Sequence, residues 1–338
     1  MSALAAGAAS AAVLGSAAIE GGGSQVEVIP EVGARVRSLR LAGRQWLWHD
    51  PDRPVIAGEV GASFRDIGER GGWDECFPSI APGRVPEWVK GSGGRALGDH
   101  GDCWTQAPSL TLATDVAGHR ASCTWRAREM GWRLTRTITA RPDGVVRCDY
   151  EAETRGPAKL PFVWGVHAPL ELSARTVVEL PEGARVRVIA QSGIDLGPPS
   201  TEHRWPLLRV GDKLRDLSRP WSVAKRYAVT LIVDLSATRV AVREGRHRLT
   251  VRGELGGTSV ARVVVNRGAL APPSAARGWW PWAAVRAPQF VSVTPMLGAP
   301  ESLADALGDW KGAQWLEPGV PRRWWTEWSG EERDDMAE

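Results

Sequence analysis

Two stretches of this 338-residue chain gather side chains able to move protons or hold hydroxyl groups. The first is Glu69-Arg70-Gly71-Gly72-Trp73-Asp74-Glu75-Cys76-Phe77-Pro78, followed downstream by Asp99-His100-Gly101-Asp102-Cys103-Trp104. Glycines let backbone approach a ligand closely, and the Arg, Asp, Glu and His beside them supply directional hydrogen bonds to hydroxyls, which is the chemistry of a polar-ligand loop. The same residues also suit an ordinary solvated turn held by an Arg–carboxylate pair. The second stretch, Pro161-Phe162-Val163-Trp164-Gly165-Val166-His167-Ala168-Pro169-Leu170, sets a lone histidine in an apolar run. A buried neutral imidazole needs partners for both ring nitrogens, so residue type alone leaves two readings open, a satisfied core histidine and a proton-transfer group. Cys76, Cys103, Cys123 and Cys148 form no CxxC pair, and small buried apolar residues account for them without chemistry.

The elements that must position these groups read as strands. Apolar and polar residues alternate over Gln25–Ile29, Ala34–Leu41, Arg133–Ala140, Ala184–Ile189, Thr238–Arg243 and Arg248–Arg252, the period of a half-buried strand. Pro142-Asp143-Gly144, Pro181-Glu182-Gly183 and Glu244-Gly245 stand between runs as turn signals, favouring hairpins and a mainly antiparallel sheet. One short helix is expected over Glu301–Leu307, after Pro300 and before Gly308. Ala57–Gln106 and Leu270–Pro288 break the rhythm, the latter carrying Trp279-Trp280-Pro281-Trp282, and long irregular segments of this kind place the cleft. With no fixed-period repeat and no Pro- or Ser-rich linker, the expected organisation is a loose lead-in over residues 1–20, one domain over 21–330 and a flexible tail over 331–338.

Composition narrows the function classes. A net charge of +3 with Lys and Arg scattered among Asp and Glu gives no stretch able to neutralise a run of phosphates, which argues against nucleic acid. No apolar run approaches the ~20 residues needed to cross a bilayer, and the Ala- and Ser-rich opening lacks the basic residues of a secretory signal, so the expected location is cytoplasmic. Tryptophan is heavily used, 18 residues against 4 Phe and 2 Tyr. Its flat apolar face and single N–H donor suit stacking on the C–H faces of sugar rings as well as core packing.

Taken together, the Arg70-Gly71-Gly72…Phe77-Pro78 segment, the His100-Gly101 pair and the later His167 resemble the aldose 1-epimerase (galactose mutarotase-like) superfamily. The likeness extends over most of the chain. It runs from Val32-Gly33-Ala34-Arg35-Val36 and Trp46-Leu47-Trp48, through Val263-Val264-Val265-Asn266-Arg267-Gly268, to Val291-Ser292-Val293-Thr294-Pro295 and Ala299-Pro300-Glu301-Ser302-Leu303. It implies an all-β supersandwich of large antiparallel sheets with an open cleft, no cofactor or metal, and a sugar-like small molecule as partner to a monomer or homodimer. It further implies acid–base opening of a sugar hemiacetal, with His167 as proton donor to the ring oxygen and His100 holding hydroxyls. Arg70 would hold a further hydroxyl, and Asp74, Asp99, Trp104 and Trp164 would line the pocket.

One position departs from the pattern. Where the superfamily sets a catalytic glutamate before a proline, this chain has Thr294 before Pro295, and a threonine hydroxyl is no general base at neutral pH without a stronger base beside it. Three consequences stay open. A cleft carboxylate takes over, Glu75 or Asp74 being nearest in sequence with Asp102 and Glu301 behind. The pocket persists as a non-catalytic carbohydrate-binding or regulatory module. Or it performs other chemistry on a sugar-like ring. A polysaccharide lyase would need a Tyr or His base and a basic groove, for which only Tyr150 and Tyr227 are available. Arg70, Arg84 and Lys90 leave a phosphosugar substrate open.

Overall fold

The computed structural model describes residues 14–50, 53–64, 69, 71–127, 130–257, 259–270 and 288–333. It is built on two large antiparallel sheets. The eight-stranded sheet runs, from edge to edge, through Thr176–Glu179, Arg239–Glu244, His247–Glu254, Arg322–Glu332, Val146–Thr154, Trp132–Ala140, Gly118–Arg126 and Leu110–Asp115. The six-stranded sheet runs through Leu170–Glu171, Gln289–Met296, Val260–Arg267, Tyr227–Asp234, Arg185–Ser192 and Glu202–Arg204. A four-stranded sheet over Ala17–Gln45 flanks them. This is the all-β supersandwich expected from the alternation. Val146–Thr154 shows the cause, with Val146, Cys148, Tyr150, Ala152 and Thr154 buried and the residues between them half-exposed. One continuous core joins the sheets, with Val251 and Trp328 of the first in the same buried cluster as Val263 and Val293 of the second.

Several boundaries differ from the expectation. The strand Ala17–Gly21, which pairs with Ser24–Ile29, begins inside the stretch expected as a lead-in. At the other end Arg322–Glu332 remains in strand beyond residue 330. Pro142-Asp143-Gly144 and Glu244-Gly245 do close hairpins, but Pro181-Glu182-Gly183 carries the chain from the eight-stranded sheet into the six-stranded one. The helix occupies Leu303–Leu307, starting later than Glu301 because Ser302 caps it by accepting the Asp305 N–H. Among the described residues no helix is long and apolar enough to cross a membrane. The segment holding Trp279-Trp280-Pro281-Trp282 lies outside the described residues.

Candidate functional site

His167 ends the short strand Gly165–His167, which is wedged between two others. On one side it pairs with Asp74–Cys76, setting His167 opposite Asp74. On the other, Trp164 pairs with Leu297 and Leu170 with Val291, a register that puts His167 opposite Thr294. Thr294 in turn pairs with Arg262. Opposed residues on neighbouring strands project to the same face, so Asp74, His167, Thr294 and Arg262 form one polar row across four strands. Burial on both faces explains why the sequence around His167 reads as an unbroken apolar run. At Gly165 a Cβ would come within 2.7 Å of Ile80 Cδ1, so a larger residue there would push the tip of Ile80 aside.

His100 arrives from a loop packed on the backbone of Phe77. It adopts φ +60°, a left-handed conformation unusual for a side chain other than Gly, Asn, Asp or His. The His100 N–H donates to Ile80 O at 2.8 Å and the Asp102 N–H to Phe77 O at 2.9 Å, which holds the turn. Gly101 must be glycine because a Cβ would lie 2.4 Å from Phe77 O. The two imidazoles, 67 positions apart in sequence (167 minus 100), stand with ring centroids 4.9 Å apart and planes at 80°.

Around this pair the polar groups are specific. His100 Nδ1 lies 2.8 Å from Asp99 Oδ1, and Asp99 Oδ2 accepts the Phe64 backbone N–H at 3.0 Å. His100 Nε2 is buried and hydrogen-bonded to nothing among the described residues. Asp74 is clasped by Arg35, whose Nε and Nη2 each lie 2.9 Å from a carboxylate oxygen. Burial pushes the Asp74 carboxyl above its ordinary range in spite of Arg35 and the nearby His100. Asp99 and His100 keep 19% and 13% of their side chains exposed, so the pair reaches solvent from this side. Phe64, absent from the sequence-based set, completes the site. Its ring stacks on His100 at 4.1 Å, meets His167 edge-on at 5.3 Å and lies against Trp104 at 5.3 Å. Its type was the available signal, one of only four phenylalanines, set in a Gly- and charge-rich loop.

Other expected site residues stand elsewhere. Consecutive strand residues face opposite ways, so Glu75 turns away from the histidine row. Its Oε1 accepts from Trp73 Nε1 (3.1 Å), Arg136 Nη1 (3.1 Å) and Tyr150 OH (3.0 Å), and its Oε2 from Trp164 Nε1 (3.0 Å). With four donors already on it and its side chain sealed in the core on the face away from the histidines, this carboxylate is poorly placed to meet a substrate. Trp164, buried and spending its N–H on Glu75, is a core residue and not a stacking surface. Trp104 props the site from behind, its N–H on Asp99 O at 2.7 Å. Thr294 is buried and donates its hydroxyl to Val166 O at 3.0 Å, while Glu301 is ion-paired with Arg262. Burial pushes all four cysteine thiols up, away from thiolate chemistry. Arg70 lies outside the described residues.

No protein-family model matches the chain, and no curated protein is detectably similar to it in sequence. Solved structures are similar in shape. A galactose mutarotase related enzyme from Lactobacillus acidophilus superposes with a TM-score of 0.61 over 96% of this chain and 100% of its own, at 14% identity. The fold is the galactose mutarotase-like fold. A galactose mutarotase-like protein from Lactobacillus casei matches with a TM-score of 0.58 at 14% identity, covering 94% of this chain and 100% of its own. Galactose 1-epimerase from Lactobacillus acidophilus matches with 0.57 at 12% identity, covering 94% and 95%. At such identities the galactose mutarotase-like likeness concerns architecture, and the chemistry rests on the side chains present.

Proposed function

We propose that this chain interconverts the α and β anomers of an aldose or related sugar by acid–base ring opening between His100 and His167. The observation that carries the reading is the approach of the two imidazoles, drawn from a loop and a strand far apart in sequence, to 4.9 Å at a solvent-reaching edge. In this reading His167 gives a proton to the ring oxygen, the C1–O5 bond breaks, and the free aldehyde rotates before reclosing on either face. Arg70, by its place in the Arg-Gly-Gly motif, holds a ring hydroxyl. General acid–base groups of this kind contribute roughly 10²–10⁴-fold each.

Exchange-NMR rates of anomer interconversion, measured over a panel of aldoses and hexose phosphates, test the proposal. Acceleration above buffer, lost by most of its magnitude in His167→Ala, is the expected result. A folded protein that accelerates no member of the panel ends it. One observation favours a second reading, a sugar binder without turnover: the hydroxyl that replaces the missing carboxylate is spent on Val166 O. Calorimetric binding of a sugar that is never interconverted would select that reading.

A further inference from the structure

We infer that the Asp99–His100 pair supplies the base that Thr294 cannot, so that proton removal has moved from a carboxylate on a strand to an imidazole on a loop. The assignment rests on the anomer-exchange reading above and names the group that makes it work.

Three of the candidate carboxylates, Glu75, Asp74 and Glu301, are otherwise committed. Glu75 faces the core with four donors on it. Asp74 is gripped on both oxygens by Arg35, and Glu301 is ion-paired with Arg262. Asp99 spends one oxygen on His100 Nδ1 and the other on the Phe64 N–H. That arrangement is what an imidazole base requires. A carboxylate accepting from Nδ1–H fixes the tautomer with the proton on Nδ1 and leaves Nε2 with a bare lone pair. Nε2 is the buried ring nitrogen that bonds to nothing among the described residues. The charged and titratable groups facing His100 are Asp99, Asp74 with its partner Arg35, and His167. His100 also holds a left-handed backbone (φ +60°), a conformation of the sort retained where geometry serves a site.

The step balances. His100 Nε2 takes the proton from the anomeric hydroxyl, the O–H electron pair becomes the second bond of the C1 carbonyl, and the C1–O5 pair leaves onto the ring oxygen, which takes its proton from His167. His100 now carries the proton that His167 has lost. Reclosure on the other face runs both transfers backwards, restoring each imidazole with no net proton uptake. The sugar's anomeric hydroxyl must reach Nε2 in the plane of the imidazole, whose face is covered by Phe64.

The test uses the full chain, comparing native protein with Asp99→Asn, Asp99→Glu and His100→Gln by exchange NMR on an aldose that the native protein accelerates. Asp99→Asn is expected to lower kcat by about 100-fold or more with KM changed less than threefold. Asp99→Glu recovers part of the rate. Long-range nitrogen–proton NMR of His100, which needs no activity, should show the proton on Nδ1 in the native chain and a displaced tautomer in Asp99→Asn. An active native protein whose Asp99→Asn variant keeps its rate overturns this assignment alone. A native His100 protonated on Nε2 overturns it too. A native protein inactive on every sugar sinks the functional reading and the assignment with it.

Discussion

Asp74 and Glu75 are adjacent carboxylates with unrelated duties because a strand sends consecutive side chains to opposite faces. Glu75 compensates Arg136, an inward arginine on the eight-stranded sheet whose Nη2 also donates to Ala34 O at 2.6 Å. Removing one member of a buried ion pair strands the other, at a cost of about 3–5 kcal/mol. Glu75→Gln should therefore lower the melting temperature by roughly ten degrees, read by calorimetry without any sugar; a variant as stable as the native chain yet catalytically dead would return Glu75 to the active site. Glu69 makes a pH-dependent contribution. Burial alone would raise its pKa, but the His49 and Arg37 contacts outweigh it and hold the carboxyl below 4.5. A depressed folded-state pKa stabilises above the ordinary Glu range and ceases to do so as pH falls through it. Glu69→Gln should be less stable than the native chain at pH 7 by about 2 kcal/mol, and the gap should close below about pH 4. A gap independent of pH would show that the carboxylate charge is irrelevant.

The element that most constrains the site is the loop that carries Phe64, whose backbone N–H donates to Asp99 and whose ring touches His100, His167 and Trp104. Since the ring lies on the imidazole face that a sugar would use, a ligand competes with it. An aromatic pair of this kind is worth about 0.5–1.5 kcal/mol, so Phe64→Ala should tighten sugar binding by up to about tenfold in calorimetric titration, and weaker binding would recast Phe64 as a stacking platform. This element marks the limit of sequence reading. His100, His167 and their approach were legible, because Gly-flanked polar residues and a histidine in an apolar run are unusual in kind. Regular strands were legible from period two. Illegible were the directions in which Asp74, Glu75 and Trp164 point, since alternation in a three-residue strand buried on both faces leaves no polar side to read. Arg35 could have been noticed as a charge inside the Val32–Val36 run, but its partner 39 residues on could not. Pro181-Glu182-Gly183 carries the residues of a tight turn, and nothing local distinguishes a hairpin from a crossing between sheets.

At the scale of the molecule, the abundant tryptophan serves largely as sheet-to-sheet filling. Trp73 stacks on Trp328 at 4.4 Å, and Tyr150 on Trp324 at 5.3 Å, both beneath the Glu75 cluster. Trp125, Trp132 and Trp164 are buried as well. The His100–His167 site therefore rests on a closely packed aromatic layer. The placement of Arg322–Glu332 in the middle of the eight-stranded sheet, between His247–Glu254 and Val146–Thr154, reaches further. The strands on either side precede it in sequence, and each keeps one unpaired ladder of N–H and C=O groups until Arg322–Glu332 has been made. Such long-range closure is slow and leaves sticky edges in the meantime. A nascent or truncated chain lacking Arg322–Glu332 would be two half-sheets searching for a common centre strand, prone to recruit one from a neighbouring molecule.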